Sequence, residues 1–244
     1  MSRIGSDVDR CRDEFCPDDY GARRHDCSGQ ASSVLSALWR TARPKQWLKN
    51  ILVFAAPGAA GVLDDGNNLW LTLVAFVSFC LAASGIYVWN DLLDVEADRR
   101  HPTKCARPIP AGELSIGAAR VAGVLLPIAA LALAGLTGRW QTVAVVGTYI
   151  VITIAYTLRL KHVPVVDVVT VAAGFVLRAA AGAVAVDVPM SRWFVLCITF
   201  GSLFIVVGKR YAELNEVGDS AQTRATLEVY SVGYLRMVLS LSLA

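Results

Sequence analysis

Residues 69–98 read LWLTLVAFVSFCLAASGIYVWNDLLDVEAD, an uncharged run from Leu69 to Trp89 followed at once by Asn90, Asp91, Asp94, Glu96 and Asp98. The run matches the roughly 20 residues that a helix needs to cross about 30 Å of hydrocarbon. Where the helix continues past Trp89, Asp91, Asp94 and Asp98 stand at i, i+3 and i+7 on one face, and Asn90 joins Asp94 and Asp98 at i+4 and i+8. Like charges at that spacing repel by a few tenths of a kcal/mol per pair, and by more where the dielectric is low, so a cation should compensate them. Oxygen donors suit a hard divalent ion, and magnesium binds through one or two carboxylates plus substrate phosphates rather than in a full protein cage. Asn90, Asp91, Asp94 and Asp98 are therefore the candidate metal ligands. The alternative is a set of solvated charges paired with Arg99, Arg100 and Lys104, but acidic residues at the mouth of a span are more often functional.

Outward from this stretch the chain repeats the pattern of apolar block and short polar connection. Blocks at about 47–63, 116–136, 140–158, 163–186 and 193–208 join the one at 69–89, giving six spans, and a seventh apolar stretch begins near Tyr230. About 15 residues from there to Ala244 are too few to span a bilayer unaided, so the chain is expected to be part of a longer protein. Lys and Arg crowd alternate connections: before the first span, after the second (Arg99, Arg100, Lys104, Arg107), after the fourth (Arg159, Lys161) and after the sixth (Lys209, Arg210). The other set carries just Arg139 and Arg192. By the excess of basic residues in cytoplasmic loops, the amino terminus and the aspartate-bearing connection face the cytoplasm.

Composition agrees. At 55% hydrophobic residues and a mean hydropathy of +0.50, the chain is too apolar for a water-soluble domain of 244 residues. The expected fold class is an all-α integral membrane protein in the plasma (inner) membrane. Residues 1–37 read as a polar cytoplasmic tail without fixed structure, and 38–244 as the membrane domain. The tail has no apolar h-region and is not a secretory signal. Its Cys11, Cys16, His25 and Cys27 depart from the close pairs of structural zinc sites. The remaining cysteines are expected to be free thiols, since Cys80 and Cys197 lie inside apolar blocks and Cys105 beside a basic loop.

Around the aspartates the predicted topology gathers cations suited to phosphate: Lys45 and Lys49, Lys104 and Arg107, Lys209 and Arg210. Orientation and anionic lipid alone also explain basic residues at a membrane surface. Arg178 differs, because an arginine in the middle of a span must face the bundle interior or a polar cavity. It is expected to reach an anion or an acidic partner. Lys161, His162 and Asp167 could line the same cavity.

The motif Asn90-Asp91-x-x-Asp94-x-x-x-Asp98 after the second span resembles the first aspartate motif of the UbiA superfamily of intramembrane prenyltransferases. The resemblance implies a transmembrane helical bundle of about nine helices, of which this chain supplies six plus part of a seventh. Three further segments, Arg43-Pro44-Lys45-Gln46-Trp47-Leu48-Lys49-Asn50, Asp98 through Arg107-Pro108, and Gly208-Lys209-Arg210-Tyr211-Ala212-Glu213-Leu214, are similar to the branch of that superfamily that moves a phosphoribosyl group. Where aromatic prenyltransferases usually carry a second aspartate-rich motif, this chain has two cations ahead of Glu213. The resemblance implies Mg2+-dependent transfer of 5-phosphoribosyl from 5-phosphoribosyl 1-diphosphate (PRPP) to decaprenyl (polyprenyl) phosphate, a step toward the decaprenylphosphoryl-arabinose donor for cell-wall arabinan. It implies Asp91 and Asp94 as catalytic residues. Lys45, Lys49, Lys104, Arg107, Lys161, Arg178, Lys209, Arg210, Tyr211 and Glu213 are the candidate substrate-binding residues. The expected partners are the two phosphorylated substrates and the bilayer, not nucleic acid, and oligomer formation is left open. The alternatives are an aromatic prenyltransferase of the same superfamily, using a polyprenyl diphosphate, and a transporter without catalysis.

Overall fold

Asp65 and Ser115 fix the starts of two long helices by accepting hydrogen bonds from the backbone amides of Asn67 (3.0 Å) and Ala118 (3.2 Å), each satisfying one of the donors a helix leaves unpaired at its first turn. The computed structural model describes residues 34–101, 103–216 and 232–243. Cys11, Cys16, His25 and Cys27 of the expected tail lie outside the described residues. Helix α1 (Val34–Ala42) begins ahead of the expected domain boundary at residue 38. After Arg43 a 3-10 helix, Pro44–Phe54, runs into the short α2 (Ala55–Ala59). There follow α3 (Gly66–Leu93), α4 (Val95–Arg99), α5 (Ile116–Gly135), α6 (Trp140–Leu158), α7 (Val166–Ala185), α8 (Arg192–Glu216) and α9 (Val232–Leu243). Cys80, Cys105 and Cys197 form no disulfide among the described residues.

Among the described residues five helices are long and apolar enough to cross a membrane: α3, α5, α6, α7 and the Arg192–Leu214 part of α8. The chain is a multi-pass membrane protein. The block expected as the first span, 47–63, takes another form. Its 3-10 segment has 11 residues and α2 has 5. At ~2.0 Å and ~1.5 Å of rise per residue the two cover about 30 Å together, counted from Pro44 and so including Lys45 and Lys49. A Pro at its first turn sets the φ from which the segment starts.

Small residues let the helices approach. A Cβ on Gly85 of α3 would stand 2.5 Å from Cδ of Pro127 on α5, and one on Gly182 of α7 would stand 1.7 Å from the carbonyl oxygen of Val53. These two glycines fix where α5 and the first span cross their neighbours, the usual device for packing helices in lipid. The shared core is Val53, Ala75, Phe79, Ala82, Ile86, Ala130, Val146, Tyr149 and Ala181. Trp70, Trp140 and Trp193 are exposed at the starts of α3, α6 and α8, three helix ends on one side of the bundle, where aromatic rings mark a membrane–water interface. The opposite side gathers the ends of α3, α6 and α8 and the starts of the first span and α7, and it carries the site.

Candidate active site

Asp91 sits in the last turn of α3 and is 2% exposed. It is ion-paired to Arg43 and, at 3.1 Å, to Arg107. Arg107 also binds Asp98, itself 3% exposed, which Lys104 approaches at 3.9 Å. One guanidinium thus bridges two buried carboxylates seven residues apart, as the shared helix face requires. The backbone bonds Asp94 N–H to Asn90 C=O (3.0 Å) and Asp98 N–H to Asp94 C=O (2.7 Å) carry the turn across the joint between α3 and α4. Asp94, at that joint, points elsewhere: its half-exposed carboxylate faces Lys161 at 3.7 Å.

The aspartates therefore meet cations before they meet one another. Among the described residues no three His, Cys, Asp or Glu side chains converge as a metal cluster. The donor chemistry still fits magnesium. Asn90 Oδ1 is buried with no hydrogen-bond partner, an orphaned oxygen of the kind that calls for an ion or water. Together with the half-exposed Asp94 carboxylate it offers two hard oxygen donors, and substrate phosphates can supply the others.

Arg43 is the residue the sequence reading did not single out. Its backbone lies in the left-handed region (φ 54, ψ 62) immediately before Pro44, a conformation uncommon for a side-chain-bearing residue. Its guanidinium stacks over the Tyr87 ring at 5.1 Å while pairing with Asp91. Val165, at the entry to α7 between Lys161 and Asp167, is also left-handed (φ 67). These two flank the site, whereas the third such residue among those described, Asp187 (φ 59), follows the far end of α7.

The end of α8 forms the facing wall. Arg210 is 5% exposed, 3.3 Å from Asp167 of α7 and 2.7 Å from Glu213. Asp167, fully buried, also accepts the amide of Val168 (2.8 Å). Arg210 and Glu213, expected as substrate ligands, are thus engaged with protein groups. Lys209 stays exposed, 3.8 Å from Glu213, and Lys49 lies within electrostatic range of both Lys209 and Arg178. Tyr211 turns toward α9, packing beside Val206, Val207 and Leu235 and accepting from Arg236 (3.3 Å). Lys45 is exposed, and the His162 side chain lies outside the described residues.

Of the two partners expected for Arg178, an anion or an acidic residue, no acidic residue meets it among the described residues. It donates to Asn50 Oδ1 (2.7 Å), Tyr149 OH (2.9 Å) and the Gly174 carbonyl (2.6 Å), with its guanidinium 4.8 Å from the Tyr149 ring centre. All three acceptors are neutral, so they do not neutralise the charge of the guanidinium, which adds to the positive potential felt by Lys49.

Residues 51–240 match the model of the UbiA prenyltransferase family, and the chain belongs to that family. Its curated relatives include the decaprenyl-phosphate phosphoribosyltransferase of Mycolicibacterium smegmatis, 46% identical over 88% of this chain and 69% of the relative. The enzyme of that name from Corynebacterium glutamicum is also 46% identical, over 85% of this chain and 63% of its own length. The chain thus spans about two thirds of these relatives. Among solved structures, a UbiA homologue from Archaeoglobus fulgidus bound to DMAPP and Mg2+ superposes with a TM-score of 0.68 at 20% identity, over 85% of this chain and 73% of that one. That likeness is one of fold.

Proposed function

We propose that this chain carries the site of a decaprenyl-phosphate phosphoribosyltransferase, moving 5-phosphoribosyl from PRPP to decaprenyl (polyprenyl) phosphate with release of diphosphate. The product serves synthesis of the decaprenylphosphoryl-arabinose donor for cell-wall arabinan. The observation that carries this reading is that Lys49 stands within electrostatic range of two further cations, Lys209 and Arg178. Three cations so grouped favour ligands rich in phosphate, in keeping with the relatives' name. Three phosphorylated groups must be held together: the 5-phosphate, the diphosphate and the lipid phosphate.

Asn90 and Asp94, with Asp91 and Asp98, would hold Mg2+, which when bound neutralises diphosphate charge. Arg43 and Arg107 pair with Asp91, and Arg107 also with Asp98, and both guanidiniums can turn the rest of their donors to phosphate oxygens. Lys104, Lys161 and Lys45 line the approach. In the transfer the bond from the anomeric carbon to the diphosphate oxygen breaks, a bond from that carbon to a lipid phosphate oxygen forms, and the electron pair leaves with diphosphate. The acceptor is already an anion, so no general base is required, and catalysis reduces to positioning and electrostatic stabilisation. The basic loops support a cytoplasm-facing site in the plasma membrane, where a soluble donor meets a membrane-held acceptor.

The test is transfer of labelled phosphoribose from PRPP onto polyprenyl phosphate in membranes containing the chain, with and without magnesium. A magnesium-dependent labelled lipid is expected. Turnover of a polyprenyl diphosphate with an aromatic acceptor instead would move the activity to the other branch of the family.

A further inference from the structure

On the back of the aspartate segment, between the end of α3, α4 and the start of α5, lies a cavity of about 170 Å³ lined by Trp89, Leu92, Leu93, Val95, Ile116 and Arg120. Positions 89, 92 and 93 fall on the face of the helix opposite 91, 94 and 98, so this groove is separate from the site above. Five of its six lining residues are apolar. The sixth, Arg120, is exposed, and its side chain makes no hydrogen bond or ion pair among the described residues. The nearby acids are already taken, Glu113 by Arg40 (2.9 Å) and Glu96 by Arg99 (3.2 Å). Trp89 is held in the wall by donating to the Gly123 carbonyl (2.9 Å).

The depth of this groove is set by the helix. Arg120 stands four residues into α5 on the side that carries the aspartates, roughly 6 Å from the helix start. Beyond it Val121, Val124, Leu125 and Ile128 are all exposed, the apolar surface of a helix turned to lipid. A lone cation at the boundary between headgroups and acyl chains, above apolar walls, matches one amphiphile: a phosphate ester next to hydrocarbon.

We infer that this groove binds an anionic phospholipid of the surrounding bilayer, its phosphate on Arg120 and the upper part of an acyl chain against Leu92, Leu93, Val95 and Ile116. The occupant braces the joint between α3 and α4 from behind, where Leu93 and Val95 flank Asp94. Binding here does not depend on the reaction proposed above.

Native mass spectrometry of the detergent-purified chain, titrated with phosphatidylglycerol or phosphatidylcholine of matched chains, reads the site directly. The chain should retain one phosphatidylglycerol at several-fold lower concentration than phosphatidylcholine. Arg120→Gln should erase about fivefold of that preference, the weight of one cation at an anionic surface, while Arg120→Lys keeps it. Ile116→Trp, which fills the cavity, should lower retention of both lipids. Equal retention of the two lipids by the unaltered chain, or phosphatidylglycerol retention unchanged in Arg120→Gln, overturns the inference. So does displacement of phosphatidylglycerol by equimolar polyprenyl phosphate in an Arg120-dependent manner, which would make the groove an acceptor site.

Discussion

The two walls of the site use the same charges in opposite arrangement. On the α3–α4 wall the carboxylates belong to the helix and the cations arrive from connections: Arg43 from a turn, Lys104 and Arg107 from a loop, Lys161 from a short 3-10 turn. On the α8 wall the cations belong to the helix, beside Glu213, and the fully buried carboxylate comes from the start of α7. Connections can shift at low cost, whereas a guanidinium enclosed between two packed helices cannot. On the function proposed above, the first wall can exchange its internal ion pairs for ligand, and the second is a latch from which the exposed Lys209 reaches outward.

This contrast can be broken by substitution. Asp91→Asn should have the largest effect, lowering phosphoribosyl transfer by ~10²–10³-fold while membrane insertion and helix content stay intact. A fully active variant would remove the first wall from the chemistry. Arg210→Gln should act on stability, because it leaves Asp167 buried without its cation; a loss of about 3 kcal/mol is expected in detergent thermal unfolding, with recovery in the Arg210→Gln/Asp167→Asn pair. If Arg210→Gln melts normally and loses activity instead, the latch reading fails and the residue binds substrate. Arg178→Met leaves Asn50 Oδ1 and Tyr149 OH without their donor and should cost about 2 kcal/mol in the same measurement. Lys209→Ala should raise the apparent KM for PRPP about fivefold with little change in kcat, a loss of charge felt in binding rather than in the transition state. Lys45→Ala, at an exposed position, should change KM by less than about twofold.

Much of this architecture was legible in the sequence because the bilayer is a demanding solvent. Uncharged blocks of span length, basic residues in alternate connections and carboxylates at one mouth are each forced by the cost of burying charge in hydrocarbon. The 47–63 block was harder to read. Apolar content marks it as membrane-embedded, but nothing in composition distinguishes an α-helix from a 3-10 helix. Arg43 was hidden for another reason. In sequence it is one basic residue among several before the first span, and its left-handed backbone, its ring contact with Tyr87 and its pairing with Asp91 arise only when α1, the 3-10 helix and α3 meet.

The sequence alone determined that the chain crosses a membrane several times, which family motif it carries, and that Asp91, Asp94 and Asp98 share a helix face with cations gathered on the same side. Those properties follow from local periodicity and from charge placed against an apolar background. The tertiary structure alone decided how the charges are paired. Arg107 bridges Asp91 and Asp98, Asp94 turns to Lys161, Arg210 is spent on Asp167 and Glu213, and Arg178 is tied to the neutral Asn50, Tyr149 and Gly174. The reason is distance: most of these partners come from different helices, and which cation reaches which carboxylate depends on helix crossings set by close contacts such as Gly85 on Pro127 and Gly182 on Val53, which no local pattern encodes.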